Sequence, residues 1–175
     1  QQGIRKIKEV APEMDVICDV CMCEYTSHGH CGILTEGGYV DNDKTLEYLS
    51  KIAVSYAKAG ADILTIHYEA CEDVRATLEK IRECGMKTGL SISPDTPVEV
   101  LREFLGEVDM FLIMTVHPGF GGQKLIPETL DKVRELRGML NERGLETDIQ
   151  VDGGIYASNI KDALDAGANV IVAGS

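Results

Sequence analysis

Apolar positions along the chain alternate between two periods. Over 3–11, Ile4, Ile7 and Val10 fall on one helical face. Over 45–59, Leu46, Leu49, Ile52, Ala53 and Tyr56 repeat that spacing, and Gly60 stands where a helix would end. The three-to-four spacing predicts further helices over 73–84, 97–105, 127–143 and 158–166, with Gly85 and Gly144 closing two of them. Between the helices lie short, nearly continuous apolar runs at 15–23, 61–68, 86–93, 108–116, 146–151 and 168–173. Such runs predict strands buried on both faces.

Six helix-strand units in strict alternation, joined by short loops, predict a parallel α/β sheet. Polar residues and glycines gather just after the strands, at Glu69, Ser93, His117, Asp152-Gly153 and Gly174-Ser175. That is the distribution expected at the C-terminal mouth of a (β/α) barrel, whereas a doubly wound sheet concentrates its chemistry at one switch point. The expected fold class is therefore α/β of the TIM (β/α) barrel type, as a single domain over 1–175. It is a partial barrel, because a closed one of this type has about eight strands. Two open sheet edges would suit pairing with a second copy as a homo-oligomer.

Composition narrows the partners. In 175 residues, 17 are Lys or Arg and 29 are Asp or Glu, for a net charge of -12. Nucleic acid and anionic membranes both require a basic face, so neither is expected. A small anion held by backbone amides remains compatible. No stretch reaches the ~18 apolar residues of a membrane span, and no signal-peptide pattern follows Gln1. Of six cysteines, Cys21, Cys23 and Cys31 cluster while Cys18, Cys71 and Cys84 stand apart. That usage suits a metal site or free thiols in a reducing cytoplasm rather than a disulfide framework.

Two sets of residues carry candidate chemistry. Cys21 and Cys23 alternate on a strand and so share a face, and Cys31 returns after a turn. Three thiolates suit zinc and leave a fourth position open, although three merely reduced cysteines would give the same spacing. His28 and His30 are either outer partners of such a site or exposed loop residues. The other set is a series of glycine turns after strands, with Gly119, Gly121 and Gly122, then Gly153 and Gly154, then Gly174 and Ser175. Their backbone N–H groups can approach an anion closely, so they are expected to bind phosphate. Asp152 at a strand tip is a candidate general base or metal ligand, and an Asp before Gly-Gly also forms turns. His67 reads as a polar mouth residue, His117 as a loop cap, and no lysine stands at the C-terminal end of a strand.

From about residue 60 onward the chain resembles the ribulose-phosphate 3-epimerases. The resemblance rests on Thr65-Ile-His-Tyr-Glu-Ala70, Gly89-Leu-Ser-Ile-Ser-Pro94, Met114-Thr-Val-His-Pro-Gly-Phe-Gly-Gly-Gln123, Val151-Asp-Gly-Gly-Ile155 and Val172-Ala-Gly-Ser175. It implies an isomerase acting on a small phosphorylated sugar, with a divalent metal. Asp152 would be one of two proton-transferring aspartates and a metal ligand, and the glycines with Ser175 would hold the phosphate. The family's other acid, in a His-x-Asp sequence, has no counterpart here.

Residues 1–60, through Asp19-Val-Cys-Met-Cys-Glu-Tyr-Thr-Ser-His-Gly-His-Cys31, resemble zinc-type porphobilinogen synthase. That resemblance implies zinc on Cys21, Cys23 and Cys31, while the lysines its chemistry needs are missing. The two resemblances meet at 57–63, so the expectation is a chimera of two barrel enzymes. Its function is then an epimerase-like fragment that has lost turnover, a zinc-dependent dehydratase, or a non-catalytic scaffold.

Overall fold

The computed structural model describes residues 1–20, 33–39, 41–117 and 122–173. The helices are α1 (Gln2–Val10), α2 (Asn42–Ala59), α3 (Val74–Glu83), α4 (Thr129–Glu142) and α5 (Ile160–Ala166). The strands are β1 (Ile17–Asp19), β2 (Ile63–His67), β3 (Lys87–Ile92), β4 (Met110–Met114), β5 (Asp148–Asp152) and β6 (Val170–Val172). The strands follow one another in the sheet in the order in which they occur in the sequence. Each new βα unit therefore adds the next neighbour, with none of the strand-order reversal that defines a switch point.

The chain groups into two compact units. One comprises Gln1–Thr65 with Arg75–Thr88, and the other Ile66–Val74 with Gly89–Ser175.

In the first unit, Asp41 caps α2 by accepting the Lys44 N–H at 3.2 Å. Gly60 ends the helix at φ +97, a conformation that glycine adopts without strain. Asp62, just beyond, accepts the Val16 N–H at 2.7 Å and pairs with Lys8 at 2.5 Å. Lys8 also donates to the Met14 carbonyl at 2.8 Å. Burial alone would raise the Asp62 carboxyl, but the Lys8 and Val16 hydrogen bonds outweigh it and hold the group below its ordinary value. One carboxylate within the expected 57–63 junction thus ties it to the N-terminal segment.

In the second unit, β4 is buried along its whole length, as its apolar run predicts. Register pairs Ser91 with Leu112 between β3 and β4, and Leu112 with Gln150 and Met114 with Asp152 between β4 and β5. Leu112, Met114 and Val116 alternate along the chain and form a buried cluster of their own. On α4, Leu130, Val133, Leu136, Met139 and Leu140 are buried, a stripe at helical spacing. The helix expected over 97–105 is a 3₁₀ helix, Val98–Phe104. Its buried residues Val98, Leu101 and Phe104 recur every third position, which fits three residues per turn better than 3.6. Each remaining expected element is present, with ends shifted by a few residues, except that positions 21–23 of the strand expected over 15–23 lie outside the described residues.

Candidate functional site

The C-terminal ends of β2, β3, β4 and β5 in the second unit carry a connected polar network. Glu69, just past β2, accepts the Ser93 N–H at 2.8 Å and a hydrogen bond from the Thr96 hydroxyl. Its other carboxylate oxygen lies 3.5 Å from His67 Nδ1. Burial would raise the Glu69 carboxyl, but the His67, Ser93 and Thr96 hydrogen bonds prevail and hold it at about 2. His67 is therefore a polar partner at the strand end, as its sequence position implied. Exposed His117 sits 3.5 Å from Asp95, and its carbonyl accepts from Gln123 Nε2 at 2.6 Å.

A lysine also reaches this end of the unit. Lys132, one turn into α4, donates to the Pro94 carbonyl and, at 2.6 Å, to the Thr96 carbonyl. Burial pulls its ammonium below the ordinary lysine value, against the counter-pull of Asp95, Glu69 and Glu99. Sequence reading looked for lysines on strands and missed it, because a helix delivers this one from 36 residues downstream of Thr96. The loop 93–96 is thus held by both a carboxylate and an ammonium.

The turn after β5 is held against the end of β4. Buried Thr115 donates its N–H to the Asp152 carbonyl at 2.8 Å. Its hydroxyl bonds to the carbonyls of Asp152 and Gly153 at 2.8 and 2.5 Å. Gly153 and Gly154 have φ of +118 and +65. A Cβ on Gly153 would lie 2.8 Å from Val116 Cγ1, and one on Gly154 would lie 2.7 Å from the Lys124 carbonyl carbon and 2.8 Å from Leu125 Cα. Both positions therefore admit only glycine, on conformational and steric grounds. Asn159 completes the turn by donating to the Gly154 carbonyl at 2.9 Å and accepting the Tyr156 N–H at 2.7 Å. Gly122 also has positive φ (+72), but a Cβ there would meet nothing within 4 Å.

Of the candidate residues, the structure brings Asp152, Gly153 and Gly154 together on one strand tip, beside Met114 in register. Gly122 follows in the loop after β4. Gly119, Gly121, Gly174, Ser175, Cys21, Cys23 and Cys31 lie outside the described residues, as do His28 and His30. Among the described residues no three His, Cys, Asp or Glu side chains converge as a metal site would require. Asp152 offers a single carboxylate there, and the described residues alone do not fit a metal centre. Also among the described residues, no helix is long and apolar enough to cross a membrane.

Known proteins resemble this chain in sequence and in fold. The model of the ribulose-phosphate 3-epimerase family matches residues 39–175. The ribulose-phosphate 3-epimerase of Synechocystis is 50% identical over 127 residues, which is 71% of this chain and 55% of that protein. The Escherichia coli enzyme of the same name is 43% identical over 136 residues, 78% of this chain and 60% of its own length. The chain thus spans a little over half the length of these two relatives. Among solved structures, the delta-aminolevulinic acid dehydratase (porphobilinogen synthase) of Toxoplasma gondii covers 98% of this chain and 61% of its own, with TM-score 0.63 and 19% identity. At that identity the likeness is one of fold, and it places the chain in the α/β class of TIM-barrel type. The family match begins at residue 39, upstream of α2, and so takes in residues on both sides of 57–63. Neither the dehydratase activity nor a chimera of two enzymes finds support in these matches. The chain belongs to the ribulose-phosphate 3-epimerase family.

Proposed function

We propose that the chain binds a small phosphorylated sugar of the ribulose-phosphate type at the strand ends of its second unit. The observation that carries this reading is the Gly153-Gly154 turn, where a Cβ is sterically refused and the backbone is fixed next to Asp152. Backbone N–H groups at Gly153, Gly154 and Gly122, joined by those of Gly119, Gly121, Gly174 and Ser175, would hold the phosphate ester. Asp152 would face the carbon bearing the exchangeable proton. An epimerase must deliver a proton to the opposite face as well, and the family's His-x-Asp sequence does not occur in this chain. With one acid of the pair, binding is retained and turnover by these 175 residues is not expected. A divalent metal would join Asp152 only with donors outside the described residues, so no step is assigned to it.

The test is titration of the ¹⁵N-labelled chain with D-ribulose 5-phosphate, following the amides of Gly122, Gly153 and Gly154. Shifts confined to these turns at submillimolar to millimolar ligand support the reading. Unmoved amides at millimolar concentration would overturn it.

A further inference from the structure

We propose that Ser91 and Gln150 form a buried water-binding site, one step inward from Asp152 on the sheet face that carries Leu112 and Met114. Ser91 on β3 is 0% exposed and Gln150 on β5 is 8% exposed. Among the described residues, neither Ser91 Oγ nor Gln150 Oε1 has a hydrogen-bond partner. Buried polar atoms in folded proteins are nearly always satisfied, so two orphans in one place call for a shared partner.

The register puts them in one place. Ser91 pairs with Leu112, and Leu112 pairs with Gln150. Residues in register across parallel strands project from the same face. Ser91, Leu112 and Gln150 therefore form one row across β3, β4 and β5, with the two polar groups flanking the leucine. Adjacent strands lie about 4.8 Å apart, so roughly 10 Å separates the outer two backbones. A glutamine side chain, one water molecule and a serine hydroxyl together cover that span.

The chemistry also fits. Gln150 Oε1 is an acceptor only, and a serine hydroxyl both donates and accepts. Among the described residues no side chain bonds to either atom, but one water can donate to Gln150 Oε1 and accept from the Ser91 hydroxyl, which gives it two of the two to four partners a buried water takes. The next row along the same face pairs Met114 with Asp152. The water would join β3 to β5 over β4 and put a hydrated layer directly beneath Asp152. This inference stands apart from sugar-phosphate binding, because nothing in it depends on a ligand at the glycine turns.

Two measurements on the full chain test it. Water-to-amide cross-relaxation in the unmutated protein should reveal a long-lived water at the amides of Ser91, Leu112 and Gln150, and its absence there would overturn the proposal. Ser91→Ala and Gln150→Met should each lower the melting midpoint, and the double variant should lose less than the sum, since either change removes one anchor of the same water. Strictly additive losses, or a midpoint that rises when either polar group is removed, would show two independent orphans and overturn it. The cross-relaxation result decides the question if a variant fails to fold. Neither measurement contains a sugar phosphate, so failure of ligand binding and failure of this site are separately visible.

Discussion

Glu69 accepts the Ser93 N–H at 2.8 Å and so links the end of β2 to the loop after β3. The native carboxyl titrates at about 2, well below its ordinary 4.5. A group whose folded value is depressed contributes stability above its unfolded value and loses it as the pH falls through the folded one. The expected outcome is a loss of stability developing between about pH 4.5 and pH 2. Water reaches 34% of this side chain, so the effect is discounted to on the order of 1 kcal/mol. Urea midpoints measured across this range should fall less steeply in Glu69→Gln than in the unmutated chain. Identical slopes would show that the carboxylate does not couple to folding.

Lys132 holds the same loop through the carbonyls of Pro94 and Thr96. Lys132→Met keeps the aliphatic stem and removes both donations. The carbonyls regain water only in part, so the expected cost is about 1–2 kcal/mol. Hydrogen exchange should quicken at the amides of Asp95, Thr96 and Val98 and leave those of β5 unchanged. Uniform quickening throughout the chain would show a global effect rather than a loop clamp.

The two clamps show which parts of the site the sequence makes legible. Strand ends are readable because apolar runs stop abruptly, and Glu69, Ser93, His117 and Asp152 all stand at such stops. Lys132 is not readable in this way, since on α4 it looks like any solvent-facing lysine until the helix lies beside loop 93–96. Ser91 and Gln150 are hidden for the opposite reason. Each is one polar residue inside a run that otherwise reads as buried strand, and only the register sets them on one row. The 97–105 segment shows a limit of periodicity, because its i, i+3 spacing satisfies both an α and a 3₁₀ helix.

Thr115 connects β4 to the glycine turn through its hydroxyl, which meets the carbonyls of Asp152 and Gly153. Thr115→Val is close in volume and leaves the Gly153 carbonyl short of this buried donor. A stability loss of about 1–3 kcal/mol is expected. If the turn is the phosphate cradle, sugar-phosphate affinity should fall with it. Thr115→Ser restores the hydroxyl and should recover most of the affinity, which separates the hydrogen bond from packing. Affinity that follows side-chain volume instead would remove the hydroxyl from the argument.

Gly122 and Gly154 offer a paired comparison. Both have positive φ, at +72 and +65, but only Gly154 has backbone atoms in the way of a Cβ. Gly122→Ala adds backbone strain of about 1–2 kcal/mol and a methyl group in open space. It should weaken phosphate-ester binding measured by calorimetry while the chain stays folded. Gly154→Ala combines that strain with overlap at Lys124 and Leu125, so its cost should exceed about 3 kcal/mol. Equal losses of stability in the two variants would show that the steric refusal at Gly154 is relieved by movement of the 124–125 backbone.

Cys21, Cys23 and Cys31 carry the remaining prediction, which rests on spacing alone. Thiolates bind zinc far better than the single carboxylate of Asp152 does, so any tightly held zinc should depend on them. If the three thiolates hold zinc, protein purified without chelator should contain it, and Cys23→Ala should lose most of it. Asp152→Asn should leave the zinc in place if the thiolates bind alone, and lower its content if the carboxylate shares the ion. Zinc content unchanged in Cys23→Ala would make the three cysteines ordinary reduced thiols, and a site built on them would be excluded.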